Sequence, residues 1–230
     1  MKKPYLKKFS EISKFTVWIV DGRCIRENID EEFTNFGQHY RFNFIPEYEL
    51  WIDKQYGEGE EKFYIDHMLV EYKLMSKGVN YNNAIEKADK IEKSERAKSE
   101  LIKENLKFKK DHAKLVNLIH KKQIRDFGNK LKIWIVDGEL VRDFFFVDFT
   151  EGGHDKVYNF VPEKEVWLDD DLSPRERKFV LLHEVHERNL MAKGMKYDEA
   201  HKDSSRIEFY CRHHQNETLK KIKSEIKKTV

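Results

Sequence analysis

Three things are scarce in this chain, and each scarcity removes a class of protein. Only two cysteines, Cys24 and Cys211, occur in 230 residues. They occupy non-equivalent places in the chain, so a disulfide framework is not expected and a reducing, cytoplasmic setting is. No sign of charge dominates either. The 44 basic and 42 acidic side chains leave a net +2, which gives a dedicated nucleic-acid binder no electrostatic basis. The lysine-rich ends, Lys2–Lys8 and Lys220–Lys228, are expected to be solvated rather than bound to phosphate. Long apolar runs are missing too: none follows Met1-Lys2-Lys3-Pro4, so neither a secretory leader nor a membrane span is expected. With 37% charged residues and a mean hydropathy of −0.80, what remains is a heavily solvated chain, long enough for one large domain or two small ones.

What is present is a repeat. When Trp18 is set against Trp134, the offset of 116 holds onward without a gap. Trp18-Ile19-Val20-Asp21-Gly22 returns as Trp134-Ile135-Val136-Asp137-Gly138. Asn43-Phe44-Ile45-Pro46 returns as Asn159-Phe160-Val161-Pro162, and Leu74-Met75-Ser76-Lys77-Gly78 as Leu190-Met191-Ala192-Lys193-Gly194. Roughly thirty of about 75 aligned positions are identical, and a period this long indicates two similar domains rather than a stacked array. The expected organisation is a first repeat over 1–100, a helical linker over 101–129 and a second repeat over 130–230.

Each copy reads as α+β, a small antiparallel sheet followed by two helices. Val17–Val20 and Ile133–Val136 are β-branched runs followed by Asp-Gly, a hairpin signal. Phe42–Ile45 with Leu50–Ile52, and Tyr158–Val161 with Val166–Leu168, read as further strands around a proline turn. Ser173-Pro174-Arg175-Glu176 signals a helix start, and Gly194 an end in the left-handed conformation. A second helix is expected near Tyr197, and Asn80 is the matching N-cap in copy one. Segment 86–125, rich in Lys and Glu, reads as one long solvated helix joining the copies.

The chemistry lies in Leu182-His183-Glu184-Val185-His186-Glu187. His183 and Glu187, four apart on a helix, project from one face and can hold one ion. Glu184 neighbours the first ligand, and His201, fourteen residues past Glu187, can face the pair once the chain turns back at Gly194. Two imidazoles, a carboxylate and an open position suit a catalytic metal. Glu208 is a fourth ligand or an orienting carboxylate. His and Glu at helical spacing also occur on ordinary solvated faces, so the repeat serves as the control. Copy one keeps His67, Glu71 and Glu92 but has Met68 for Glu184, Ile85 for His201 and Gln38 for His154. Three chemically capable side chains are absent together while the frame is retained. In copy one the His67–Glu71 pair then reads as structural, since two protein ligands make a poor site.

Strand, turn and a helix bearing His183-Glu184-x-x-Glu187 resemble the zincin-like metallopeptidases, over the stretch from Val166–Leu168 to His201. The resemblance implies His183 and His201 as ligands and Glu184 as general base. It departs at Glu187, where that family has histidine, which leaves manganese or iron open beside zinc as the one divalent ion. The expected function is a metal-dependent, peptidase-like hydrolase acting on a peptide or protein. In this reading copy one is an inert scaffold or docking domain, and His154 is placed to stabilise a developing oxyanion or is a plain loop residue. The competing reading is a non-enzymatic protein-interaction module whose His/Glu cluster is structural.

Overall fold

The computed structural model describes residues 4–55, 58–109, 111–124 and 130–229. Both copies fold alike. In copy one, β1 (Tyr5–Ile12) and β2 (Phe15–Val20) form an antiparallel pair, α1 (Gly22–Asn28) follows, and then come β3 (Phe36–Gln38) and β4 (Glu49–Asp53). The helices α2 (Glu61–Met75) and α3 (Tyr81–Arg96) complete the copy. Between the copies lie α4 (Glu100–Asn105), a 3-10 turn over Leu106–Phe108 and α5 (His112–Ile119). Copy two has β5 (His120–Ile124), β6 (Lys132–Val136), α6 (Gly138–Phe144), β7 (Gly152–His154) and β8 (Glu165–Asp169). It ends in α7 (Glu176–Ala192), α8 (Tyr197–His213) and α9 (Gln215–Lys228).

The α+β class and the order of sheet then helices stand, with four corrections of detail. First, Asp-Gly opens a helix and no hairpin: Asp137 Oδ1 accepts from the Leu140 N–H at 3.0 Å and Asp21 Oδ1 from Cys24 N–H at 3.4 Å, so the aspartates act as N-caps. The chain crosses over, and the sheets are mixed. Their orders are β1-β2-β4-β3 and β5-β6-β8-β7, with β2–β4 and β6–β8 parallel and Trp18 beside Trp51 as Trp134 is beside Trp167. Second, residues 42–45 and 158–161 are turns. Phe42 N–H bonds to Gln38 O and Tyr158 N–H to His154 O, and these local bonds remove the backbone groups a ladder would need.

Third, β8 with Val166–Leu168 is interior and paired on both sides, so the edges of the second sheet are β5 and the buried β7. Fourth, the joining segment is no single helix. Ser99 caps a fresh start at Ile102 N–H and Asp111 another at Lys114 N–H, because short polar side chains compete with helix continuation. β5, within the expected linker 101–129, pairs with β6 and belongs to the second sheet; residues 110 and 125–129 fall outside the described ones.

The copies share one interior. Val17, Leu50, Ile52 and Met68 of copy one pack in the same cluster as Ile133, Val166, Leu168 and Leu182 of copy two. Each sheet turns its other face to a smaller cluster under α1 or α6. A reciprocal set of buried ions crosses the seam. Arg26 of α1 reaches Glu176 at the start of α7 at 3.2 Å, and its equivalent Arg142 reaches Glu60 at 2.6 Å. Arg212 and Arg96 close the same sets, at 2.7 Å from Glu176 and 2.6 Å from Glu60. Guanidinium forks suit such pairing because they satisfy two carboxylates in one plane. Among the described residues no helix is long and apolar enough to cross a membrane.

Candidate metal centre

α7 runs from the seam to Ala192 with Val180, Leu181, Leu182 and Val185 buried in the shared core. That apolar anchoring turns His183 and Glu187, 9% and 3% exposed, inward together. The sharp reversal to α8 rests on Gly194 at φ +91°, a backbone state that costs any other residue its Cβ contact. α8 returns against α7 and brings His201 onto the pair.

Three ligand atoms converge. His201 Nδ1 lies 2.8 Å from Glu187 Oε2 and 3.1 Å from His183 Nε2, and His183 Nε2 lies 3.5 Å from Glu187 Oε2. Ligands about 2.0–2.1 Å from a tetrahedral zinc stand about 3.3 Å apart, so these separations bracket the edges of one coordination polyhedron. Two nitrogens and one carboxylate oxygen are a donor set for zinc, and also for iron or manganese. On this geometry the residues fit a divalent ion.

Each ligand is held from behind. Glu208 Oε2 accepts from His183 Nδ1 at 2.9 Å, which leaves Nε2 facing the cluster as the nitrogen a bound ion would take. Arg212 grips the other Glu208 oxygen at 2.7 Å, so Glu208 orients His183 and is not itself among the converging atoms. Glu32, from copy one, lies 3.5 Å from His201 Nε2. His154 is fully buried and takes the Lys156 N–H on Nδ1 at 3.1 Å, so its Nε2 carries the proton and donates to Glu187 Oε1 at 3.0 Å. Both ring nitrogens are thereby engaged, and His154 positions Glu187. That geometry leaves no nitrogen of the ring for an oxyanion.

The electrostatics follow from this crowding. Against the cost of burial, hydrogen bonds from His154, His183 and His201 hold the Glu187 carboxyl well below its ordinary range. Hydrogen bonds to Glu187 and Glu32 push His201 up to about 9. Glu184, beside the cluster, is pushed up to about 8 by burial and by the charge on Glu187. It lines a cavity of about 90 Å³ together with His183, His201, Glu208 and, from copy one, Glu32 and Thr34. A second cavity of about 80 Å³ reaches Glu184 from the side of Gly152, Tyr158 and Tyr197. At Gly152 a Cβ would stand 2.9 Å from Trp167 O and 3.2 Å from Glu184 Cγ, so only glycine lets the sheet edge come this close.

All six residues singled out by the repeat comparison therefore meet at one place. His186 stands apart, 3.2 Å from Asp203 of α8 and 3.3 Å from Glu225 of α9. Glu32 was not legible from spacing, because it comes from the other copy. Arg212 had a signal: it is equivalent to Arg96, four residues past Glu92 as Arg212 is past Glu208. In copy one His67 Nδ1 keeps Glu92 at 2.8 Å and Gln38 donates to Glu71 at 3.1 Å. Met68 is wholly buried there, so the frame survives without the converging third ligand. Compared with known proteins, the chain matches no family model, no curated protein and no solved structure.

Proposed function

We propose that copy two is a metal-dependent hydrolase centre acting on peptides, with His183, Glu187 and His201 as ligands and Glu184 as the proton carrier. The observation that carries this reading is the convergence of three ligand atoms beside a partly buried carboxyl group whose proton affinity lies near neutrality. A bound divalent ion supplies Lewis acidity, polarising a carbonyl and making water a nucleophile near neutral pH. Glu184 takes the proton from the attacking water and returns it to the leaving amine, a task suited to a group that titrates near the working pH. Glu208 and Glu32 fix the tautomers of His183 and His201, and His154 fixes the rotamer of Glu187. An extended substrate enters beside β7, an edge strand of the second sheet whose Gly152 and Gly153 line the cavity that reaches Glu184.

Zinc is the first expectation for the ion. The carboxylate at Glu187 keeps iron and manganese in play. The test is elemental analysis of the purified full chain together with cleavage of a mixed peptide library read by mass spectrometry. One ion per chain, lost in His183→Ala and His201→Ala, with peptide cleavage lost in the same variants, is the expected result. Metal-free protein after reconstitution with zinc, manganese and iron(II) would overturn the reading.

A further inference from the structure

The equivalent cavity in copy one has the wrong residues for a metal but an unusual lining for an inert scaffold. It measures about 70 Å³, about half the roughly 150 Å³ that admits a benzene ring, and so holds a group of a few heavy atoms. Glu71, Asp148 and Glu32 line it, with His67 and Arg41 as its two basic groups, and the rings of Phe36, Phe42 and Tyr81 add aromatic wall. Asp148 comes from copy two, just as Glu32 crosses in the opposite direction to His201. The two basic liners offset the three carboxylates in part, and each also has a partner of its own. His67 Nδ1 is bound to Glu92, and the Arg41 guanidinium lies over the Tyr81 ring at 4.3 Å and the Phe42 ring at 5.0 Å. Burial and neighbouring carboxylates push Asp148 up to about 7 and Asp89, behind His67, up to about 6. Burial is the first cause of both shifts, so a cation brought beside these carboxyls would favour their charged form.

A second observation points the same way. Asn35 lines this cavity, is 1% exposed, and neither its Oδ1 nor its Nδ2 has a hydrogen-bond partner. An amide buried with both ends unsatisfied is costly, and it offers one acceptor and one donor side by side. Carboxylates together with aromatic faces favour an organic cation over an anion. The paired needs of Asn35 add a carbonyl next to that cation. A peptide N-terminus is that combination: its ammonium suits Oδ1 and the carboxylates, and its first carbonyl suits Nδ2. The cavity also shares Glu32, Thr34 and Thr150 with the cavity beside Glu184, so a chain anchored in one extends into the other.

We infer that the copy-one cavity binds the free N-terminal ammonium of a peptide, held by Asp148, Glu71 and Asn35. As a statement about substrate it rests on the hydrolase reading of copy two; as a binding site it stands alone. It is therefore tested without turnover, by calorimetric titration of the EDTA-treated full chain. Three probes are compared: alanyl-alanyl-alanine amide with a free N-terminus, its N-acetylated form, and N-acetyl-lysine N-methylamide. The free peptide is expected to bind at least tenfold more tightly than the acetylated one, with the lysine derivative no better than the latter. Asp148→Asn should weaken the free peptide at least fivefold with an unchanged melting temperature, whereas His183→Ala should leave it within twofold. Equal binding of free and acetylated peptides, or no binding of the free one at millimolar concentration, overturns the inference. Preference for the lysine derivative overturns the assignment to an N-terminus. These outcomes do not depend on whether copy two holds a metal, so the two readings fail separately.

Discussion

Glu184 and Glu208 sit on neighbouring helices, both acidic and both within reach of His183, yet the structure gives them different work. Glu184 faces the cavity with no hydrogen-bond partner among the described residues, whereas Glu208 is clamped between His183 and Arg212. Replacing Glu184 by glutamine should leave metal content unchanged and lower peptide hydrolysis by about 10²–10⁴-fold, the span of a lost general base. Glu208→Gln should instead act on the metal, with affinity falling about 10–100-fold in a competition titration against a chelator. If Glu184→Gln lost the metal and Glu208→Gln kept it, the two roles would be reversed. The alternation of roles was only partly readable beforehand. His183, Glu184 and Glu187 follow from helical spacing, but whether Glu208 ligates or orients depends on which of its oxygens Arg212 occupies.

At the scale of elements, the hinge and the clasp around α7 matter most. Gly194 is strained for any L-residue at φ +91°, so Gly194→Ala should cost about 1 kcal/mol and lower the melting temperature by about 2–4 °C for a chain of this size. Metal affinity should fall with it, because His201 rides on the helix that the turn aims. α9 clasps α7 through Glu225, which faces His186, Asn189 and Lys228. Against its burial, those partners hold the Glu225 carboxyl down at about 2. A depressed carboxyl contributes stability above its unfolded value of about 4.5 that is lost as pH falls toward 2. Glu225→Gln should therefore melt below the native protein at pH 6, by about 1–2 kcal/mol once solvent screening is allowed for, and match it near pH 2. The raised His186 works in the opposite sense: its share is present below about 6.5 and fades as pH rises past its folded value. Chemical-denaturant midpoints across pH 2–9 would show both limbs. The turn at Gly194, the start near Tyr197 and the Asn80 cap were legible because each is a local backbone event. The mixed sheet was not, since Asp-Gly serves a hairpin or a helix cap equally well.

For the whole molecule, the seam decides behaviour. One cluster takes its side chains from both copies, and each copy's arginine is neutralised by the other's glutamate. Unfolding should be a single cooperative transition by circular dichroism and fluorescence alike. Copy two expressed alone, as residues 111–230, should fail to fold, showing poor dispersion in its proton NMR spectrum, since Ile133, Val166, Leu168 and Leu182 would lose their covering. Glu176→Ala should cost about 1.5–3 kcal/mol, because Arg26 and Arg212 each lose one buried carboxylate and keep Asp53 and Glu208 as close acidic partners. The exposed Glu86–Lys90 pair should cost under about 0.5 kcal/mol when broken. Similar losses for the two substitutions would argue against a buried seam.

The duplication, the α+β class and the candidate ligands on α7 and α8 follow from the sequence by itself, because repeats, periodicity and caps are properties of neighbouring residues. Only the tertiary structure decided that β8 is interior to its sheet, and that β5 joins the second sheet as an edge. It alone brought Glu32 to His201 and Asp148 into the cavity of copy one. Those placements depend on burying one core between two copies, a long-range term that no window of sequence contains.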